Sequence, residues 1–313
     1  MAERRPRVLL PTRRAGRGAN GHQKPPAPEV SMEPRPAAAA PVEQSVVAAA
    51  IYRDGRRVDS PLTVAEAAPR RLADQPGTMA WIGLYRPAEA QLLAVAEEFG
   101  LHELAVEDAI VAHQRPKLER YGDTLFVVLR AARYLDEVEE VEFGEIHVFV
   151  GSNFVLTVRH SQAPDLAAVR RRMESDPDLL RLGPEAVLYA ILDGVVDGYA
   201  PVVAGLQNDI DEIETEVFGG DPKVSRRIYE LSREVIEFQR ATSPLHGMLA
   251  GLMAGFEKYG TDEELQRYLR DVADHATIVA ERVDGFRQML ADILTVNATL
   301  VNQAQNEKIT NLT

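Results

Sequence analysis

Cysteine is absent from the 313 residues, and so is any long run of apolar side chains. Without cysteine the chain has no disulfide, no thiolate ligand for zinc and no cysteine nucleophile. The best uncharged run, 241–256, contains a proline, a histidine and three glycines and falls short of the roughly 18 apolar residues that cross a bilayer. We therefore expect no membrane span within this sequence.

Positive charge is also in short supply. Lys and Arg number 35 against 48 Asp and Glu, which leaves a formal charge of −13 at pH 7. This balance disfavours general binding to nucleic acids and makes cations a natural class of ligand. Catalytic motifs are missing too: there is no glycine-rich phosphate loop, no nucleophile elbow and no His-x-x-x-His pair. We expect a protein that is not an enzyme and does not bind nucleic acid.

Composition and periodicity divide the chain into four segments. Residues 1–45 contain eight of the 19 prolines and eight Lys or Arg, which predicts a disordered Arg/Pro/Ala-rich tail. Residues 46–165 alternate short β-branched and aromatic runs with helical patterns, which predicts an α/β or α+β domain. Residues 166–260 predict a helical part with a long antiparallel helix pair, and residues 261–313 predict one long stalk helix.

The periodicity also places individual elements. The acidic run 137–145, with five Glu in nine residues, predicts a solvated loop. One helix is predicted over 184–218 and a second from Pro222 to about residue 256. Strands are predicted at 46–52, 79–84, 125–134, 146–150 and 154–159.

The stalk segment repeats apolar or small residues at spacings of four and three from Leu265 to Ala304, an almost unbroken heptad. Residues 261–313 would form a helix about 80 Å long at a rise of 1.5 Å per residue. A monomer would leave this stripe exposed, so we expect the chain to associate. No glycine or proline ends the pattern, and we expect the helix to continue beyond residue 313.

One face of that helix turns polar near its end. A coiled-coil seam with buried asparagines that set the register would show such a pattern. An oligomer axis lined with neutral oxygens and closed by an apolar ring would show it too. The residues concerned are Thr295, Asn302 and Asn306, followed by Ile309 and Leu312.

Carboxylate side chains are the most distinctive candidate ligands in the chain. Asp193 and Asp197 stand one helical turn apart inside an otherwise apolar run, and like charges at this spacing destabilise a helix. A solvated face or an Arg partner would compensate, and so would a divalent cation. Mg²⁺ suits sparse carboxylates because it keeps most of its waters, whereas zinc favours His or Cys.

Five motifs along the chain resemble those of the CorA family of magnesium channels, of the two-TM-GxN type. The resemblance covers about residues 46–313 and leaves the tail outside. In chain order the motifs are Glu107-Asp108, Arg115-Pro116-Lys117, Asp193 with Asp197, Asp271 with Asp274-His275, and Asn302 with Asn306.

The resemblance implies an α+β fold. This is an α/β/α sandwich with a mixed sheet, followed by long antiparallel helices and a long C-terminal stalk helix. It also implies a homopentamer in the plasma (inner) membrane, with membrane helices after residue 313 and this part facing the cytoplasm. The implied function is Mg²⁺ uptake through a divalent cation channel, for which this part would sense cytosolic Mg²⁺ and control gating.

The same resemblance assigns site residues. Regulatory Mg²⁺, or another divalent cation, would lie between subunits. Asp108 would face Asp271 of the adjacent chain, with Glu107 and Asp193 nearby as a second site. The implied pore-lining positions are Thr295, Ala298, Asn302, Asn306, Ile309 and Leu312.

Two other functions fit parts of the sequence. A transporter of zinc or another divalent cation from the same superfamily would share these motifs, although the absence of Cys and of His clusters weakens a dedicated zinc site. A soluble coiled-coil assembly protein would account for the heptad alone.

Overall fold

The computed structural model describes residues 41–221, 223–259 and 261–310. Their centre is a mixed sheet of β1 (Val46–Arg53), β2 (Arg56–Asp59), β3 (Thr78–Tyr85), β4 (Lys117–Tyr121), β5 (Thr124–Leu135), β6 (Glu140–Val150) and β7 (Phe154–Arg159). The order across the sheet is β2-β1-β3-β7-β6-β5-β4. β3 and β7 pair parallel, and the other neighbours pair antiparallel.

Three helices cover one face of the sheet: α1 (Pro69–Leu72), α2 (Glu89–Phe99) and α3 (Glu103–Val111). Strand side chains alternate between faces, so Ile82 and Phe126 pack with these helices. A 3₁₀ turn at Val42–Ser45 precedes β1, inside the segment for which the sequence predicts a disordered tail. Residues 1–40 of that tail lie outside the described residues.

The helices after β7, which include the longest helix of the described residues, cover the other face. Trp81, Val127 and Val148 point to this side and share one apolar core with them. The predicted α/β/α sandwich, mixed sheet and long terminal helix are confirmed. The helices are α4 (Leu166–Glu174), α5 (Pro177–Leu180), α6 (Pro184–Asp197), α7 (Tyr199–Gly219), α8 (Val224–Thr242), α9 (Leu245–Tyr259) and α10 (Glu263–Thr310).

The β5–β6 hairpin corrects the prediction of a solvated loop at 137–145. β6 begins at Glu140 and pairs in unbroken register with β5. Glu142 stands opposite Arg133, with 2.8 Å between Oε2 and Nη2, and Glu139 in the turn lies 3.0 Å from Arg227 of α8. The acidic run can therefore form a strand because cations on a neighbouring strand and helix pair with its charges.

Of the two long helices predicted in residues 184–256, the structure keeps the first nearly continuous and divides the second. α6 and α7 nearly form the single helix predicted over 184–218, since Gly198 between them keeps a right-handed helical backbone (φ −63°, ψ −16°). The second predicted helix is divided, because α8 ends at Thr242 and α9 begins at Leu245. Pro244 lies at this break and has no N–H to donate to the preceding turn.

The stalk helix α10 runs for 48 residues, about 72 Å, and most of its heptad stripe is buried. The stripe positions from Leu265 to Asn297 are buried against α6, α7, α8 and α9 of the same chain. Asn297 donates from Nδ2 to Ser225 Oγ on α8 over 2.8 Å. The expectation that a monomer would expose this stripe is wrong from Leu265 to Asn297, because the antiparallel helices of the same chain supply the partner surface. Beyond Asn297, Leu300 is half-buried and Ala304 is exposed.

The stretch Pro184–Gly219, which comprises α6 and α7, is long and apolar enough to cross a membrane by length and composition alone. Our expectation of no span overlooked it because Asp193 and Asp197 interrupt the apolar run. In the fold, 56% of its most apolar window is buried, and α6 packs against β5, β6, β7 and α10. Packing in the core accounts for its apolar character.

A buried arginine fastens α4 to the sheet. The guanidinium of Arg170 lies 4.1 Å from the centre of the Trp81 ring. It donates to the Trp81 carbonyl oxygen (3.1 Å) and to the Tyr52 hydroxyl (2.9 Å). Tyr52 donates in turn to the Glu174 carboxylate (2.7 Å), so the buried charge is balanced across two elements.

We expect Arg170→Met to destabilise the chain by about 2–4 kcal/mol, because it removes the buried donor to the Trp81 carbonyl and the Tyr52 hydroxyl, together with the contact on the Trp81 ring. Urea unfolding followed by circular dichroism measures this. Arg171→Met changes the exposed neighbouring arginine and should cost less than about 0.5 kcal/mol. Equal losses in the two variants would contradict the anchoring role of Arg170.

Candidate metal-binding surface

Two helices bring three of the predicted carboxylates together. α6 carries Asp193 and Asp197, and α10 packs beside it and carries Asp271. Burial raises the pKa of Asp197, and the negative charges of Asp193 and Asp271 raise it further, while Arg172 and His275 oppose the rise. Asp193, Asp197 and Asp271 therefore form one surface, here called the acidic patch, within which like charges act on one another.

Arg172 of α4 neutralises part of the acidic patch. Its Nη2 atom lies 2.6 Å from Asp193 Oδ2, and only 14% of the Asp193 side chain is exposed. An Arg partner was one of the alternatives left open by the sequence, and the structure supplies it. Asp197 and Asp271 are exposed. Because Asp193 is paired with Arg172, the negative charge that the patch presents to solvent comes chiefly from Asp197 and Asp271.

Two tyrosines tie the helices together beside the acidic patch. The rings of Tyr189 on α6 and Tyr268 on α10 stack, with 5.3 Å between centroids and 20° between planes. Burial raises the pKa of Tyr189 to about 12, and the charge of Asp193 adds to the rise. Tyr189 therefore stays neutral at physiological pH, and the stacked rings set the spacing of α6 and α10 at the patch.

A second set of carboxylates lies where α3 meets the edge strand β4. Lys117 Nζ lies 2.6 Å from Asp108 Oδ2 and 2.9 Å from Glu119 Oε2. The Tyr121 hydroxyl donates to Glu119 (2.9 Å), and its ring stacks on His102 with 4.4 Å between centroids. His102 caps the start of α3, so this network holds the helix and the strand in a fixed relation.

The sheet separates the two sets within one chain. α3, which carries Glu107 and Asp108, packs on one face, whereas α6 and α10, which carry Asp193 and Asp271, belong to the core of the other face. The single chain does not bring Asp108 to Asp271 or Glu107 to Asp193. It does bring Asp193 and Asp271, which the resemblance assigns to different sites, into one patch.

The donor chemistry of both sets suits a hard divalent cation. The donors are chiefly carboxylate oxygens at exposed or half-exposed positions, which leaves room for the waters that Mg²⁺ retains. Among the residues that the structure describes, however, no three His, Cys, Asp or Glu side chains converge as metal ligands would. The residues fit Mg²⁺ in their chemistry, and one chain provides an incomplete set of donors.

The expected pore-lining positions share the far face of the stalk helix. At about 100° per residue, they lie roughly opposite the buried Ile293, and all those described are exposed. Thr295 uses its hydroxyl locally, to donate to the Ala291 carbonyl oxygen (3.0 Å). Leu312 lies outside the described residues. The exposed positions are Thr295, Ala298, Asn302, Asn306 and Ile309.

Sequence reasoning missed a charged cleft of about 740 Å³ between the β5–β6 hairpin and α7 and α8. Asp209, 5% exposed, receives the Tyr134 hydroxyl (2.8 and 2.9 Å to its two oxygens). Glu234 Oε2 accepts the Val141 N–H (3.1 Å). Burial raises the pKa of Glu234 to about 7, and the nearby charge of Asp209 adds to the rise. The signal in the sequence was the position of Asp209 on the apolar face of α7.

Known proteins similar to this chain are metal transporters. The family of CorA-like Mg²⁺ transporter proteins matches residues 76–313. The cobalt/magnesium transport protein CorA of Thermotoga maritima is 30% identical over 241 residues, 75% of this chain and 68% of that protein. The putative metal ion transporter YfjQ of Bacillus subtilis is 28% identical over 237 residues, 74% of this chain and 72% of that protein.

A solved structure shares the fold. The soluble domain of CorA from Methanocaldococcus jannaschii has a TM-score of 0.66 and 16% sequence identity, with 82% of this chain and 98% of that chain covered. The likeness includes the mixed sheet and the long terminal helix, and the acidic patch lies on this shared fold.

The cleft predicts a pH dependence of stability. Because folding raises the pKa of Glu234 from 4.5 to about 7, its stabilising contribution is complete below about pH 4.5 and is lost as the pH rises through 7. After allowance for solvent screening, Glu234→Gln should stabilise the chain by about 1–2 kcal/mol at pH 8 and have little effect at pH 4.5. Unfolding in urea at the two pH values tests this, with Glu281→Gln, at an exposed position of α10 outside the cleft, as control. An effect of Glu234→Gln that does not change with pH would contradict the assignment.

Proposed function

This chain belongs to the family of CorA-like Mg²⁺ transporter proteins, and we propose that residues 41–310 sense Mg²⁺ for a channel that takes up this ion. The family is one of divalent cation transporters. The observation that carries the proposal is the pair of incomplete carboxylate sets on opposite faces of the sheet. Two neighbouring chains could join Asp108 of one to Asp271 of the other, which a single chain cannot do.

The proposed mechanism is electrostatic. Two carboxylates about 4 Å apart repel by about 4 kcal/mol at an effective dielectric constant near 20, so facing Asp108 and Asp271 side chains would push two chains apart. Bound Mg²⁺ would supply the positive charge that reverses this repulsion. High cytosolic Mg²⁺ would then hold the subunits together and close the channel, which is negative feedback on uptake.

The stalk helix provides the route from the sensor to the pore. Asp271 and the polar face that starts at Thr295 lie on the same helix α10, and the buried stripe fixes this helix to α6, α7, α8 and α9. A movement of one subunit would therefore carry the polar face with it. In a homopentamer this face would line the axis, and the alignment of Asn302 and Asn306 with the exposed Thr295 on one side of the helix supports such a use.

The proposed location is the plasma membrane, with this part in the cytoplasm where it can read the internal Mg²⁺ concentration. For the transported ion, the carboxylate donors favour Mg²⁺. Zinc is the alternative, because the positive charge of His275 lowers the pKa of Asp197, so this imidazole lies near the acidic patch and could offer a nitrogen ligand.

Magnesium should stabilise and assemble the 313-residue chain. We expect millimolar Mg²⁺ to raise the melting temperature and to shift sedimentation toward larger species, because binding across an interface favours the assembled state. Asp271→Asn should remove most of both effects. Parallel melts in Ca²⁺, Zn²⁺ and EDTA identify the ion. A melting temperature and a sedimentation profile independent of every divalent ion would contradict the sensor role.

A lysine at the sensor should replace the ion. We expect Asp271→Lys, alone or with Asp108→Lys, to make assembly less dependent on Mg²⁺, because the ammonium group supplies a positive charge at the interface. Asp292→Lys makes the same charge change elsewhere on α10 and serves as the control. If sedimentation of Asp271→Lys responds to Mg²⁺ as the wild-type chain does, Asp271 is not part of the sensor.

A further inference from the structure

Lys117 places a positive charge on the carboxylate that the proposed sensor needs. Its Nζ atom lies 2.6 Å from Asp108 Oδ2, within a hydrogen bond that shields Asp108 from other cations. The side chains of Lys117 and Asp108 are 28% and 24% exposed, so the pair is only partly screened by water. A divalent cation that takes Asp108 Oδ2 as a ligand competes with this ammonium group for the same oxygen.

Glu119 offers the displaced ammonium a second partner. Its Oε2 atom lies 2.9 Å from the same Nζ atom and also accepts the Tyr121 hydroxyl (2.9 Å). The stacking of Tyr121 on His102 keeps Glu119 in place. The ammonium can therefore leave Asp108 without losing all its counter-charge.

The backbone of Lys117 is fixed while its side chain is free to change partner. Lys117 stands opposite Val128 in the register of β4 and β5, and Nζ lies 5.8 Å from the centre of the Phe126 ring. Burial opposes the charge of Lys117, but the hydrogen bonds that its ammonium group donates to Asp108 and Glu119 outweigh this effect and raise its pKa. The group thus stays positively charged at physiological pH.

We propose that Lys117 is a tethered cation that competes with Mg²⁺ for Asp108 and sets the concentration at which the sensor responds, with Glu119 receiving the ammonium group when Mg²⁺ binds. This inference rests on the proposed function. A similar pairing at the acidic patch, Arg172 with Asp193 at 2.6 Å, shows that a basic side chain covers a carboxylate in both sets.

The test is a Mg²⁺ titration of the full chain, with the melting temperature and the sedimentation coefficient as readouts. Lys117→Met keeps the length of the side chain and removes the competitor, so the midpoint should fall about tenfold. Lys117→Arg keeps a tethered charge and should stay near the wild-type midpoint. Lys223→Met removes an exposed lysine elsewhere and is the control. Lys117→Gln provides a second neutral variant if Lys117→Met does not fold.

Glu119→Gln should shift the midpoint in the opposite direction, at least threefold higher, because the ammonium group then has only Asp108 as partner. The double variant Lys117→Met with Glu119→Gln separates this role from a general loss of negative charge, since Glu119→Gln should have no effect once Lys117 is gone.

Each outcome decides one claim. A wild-type response to Mg²⁺ with an unchanged or higher midpoint in both Lys117→Met and Lys117→Gln overturns the role of Lys117 and leaves the proposed function intact. An equal effect of Glu119→Gln with and without Lys117 overturns the proposed transfer of the ammonium group from Asp108 to Glu119. The absence of any Mg²⁺ response in the wild type and in all variants overturns the proposed function itself.

Discussion

The stripe of side chains from Leu265 to Asn297 holds the long helix α10 against helices of its own chain, and the arrangement of the remaining surfaces depends on this contact. Because one side of α10 is buried over most of its length, the opposite side is presented as a straight exposed face. The same contact places Asp271 next to the carboxylates of α6. A helix of 48 residues thereby connects Asp271 of the acidic patch to the polar positions near its end.

The sheet imposes the second constraint. Its two faces are both covered by apolar cores, so polar groups that bind ions are confined to the rims and outer surfaces. Asp108 and Asp271 therefore lie on different sides of the same domain. Such a placement suits a ligand that bridges two copies better than one enclosed by a single chain, which explains how an acidic protein of this family can lack a compact metal cage among its described residues.

Basic side chains neutralise part of the negative charge at each cluster of carboxylates. Lys117 pairs with Asp108 and Glu119, Arg172 with Asp193, and Arg227 with three carboxylates, one in the β5–β6 turn and two on α7. An excess of negative charge destabilises a compact chain, and these ion pairs reduce the repulsion where carboxylates cluster. In the proposed sensor, a bound cation would compete with these basic side chains for the carboxylates.

The sequence by itself determined the features that depend on local periodicity and on order along the chain. The fold class, five strands, the stalk helix and the family were all predictable, because alternation, heptad spacing and ordered motifs are properties of neighbouring residues.

The tertiary structure decided which surfaces and charges meet. The heptad from Leu265 to Asn297 has the same spacing whether its partner is a second chain or α8 of its own. Residues 140–145 of the acidic run form part of a strand, and Arg133 and Arg227 pair with its charges. Such contacts join residues far apart in sequence, and no local spacing specifies them.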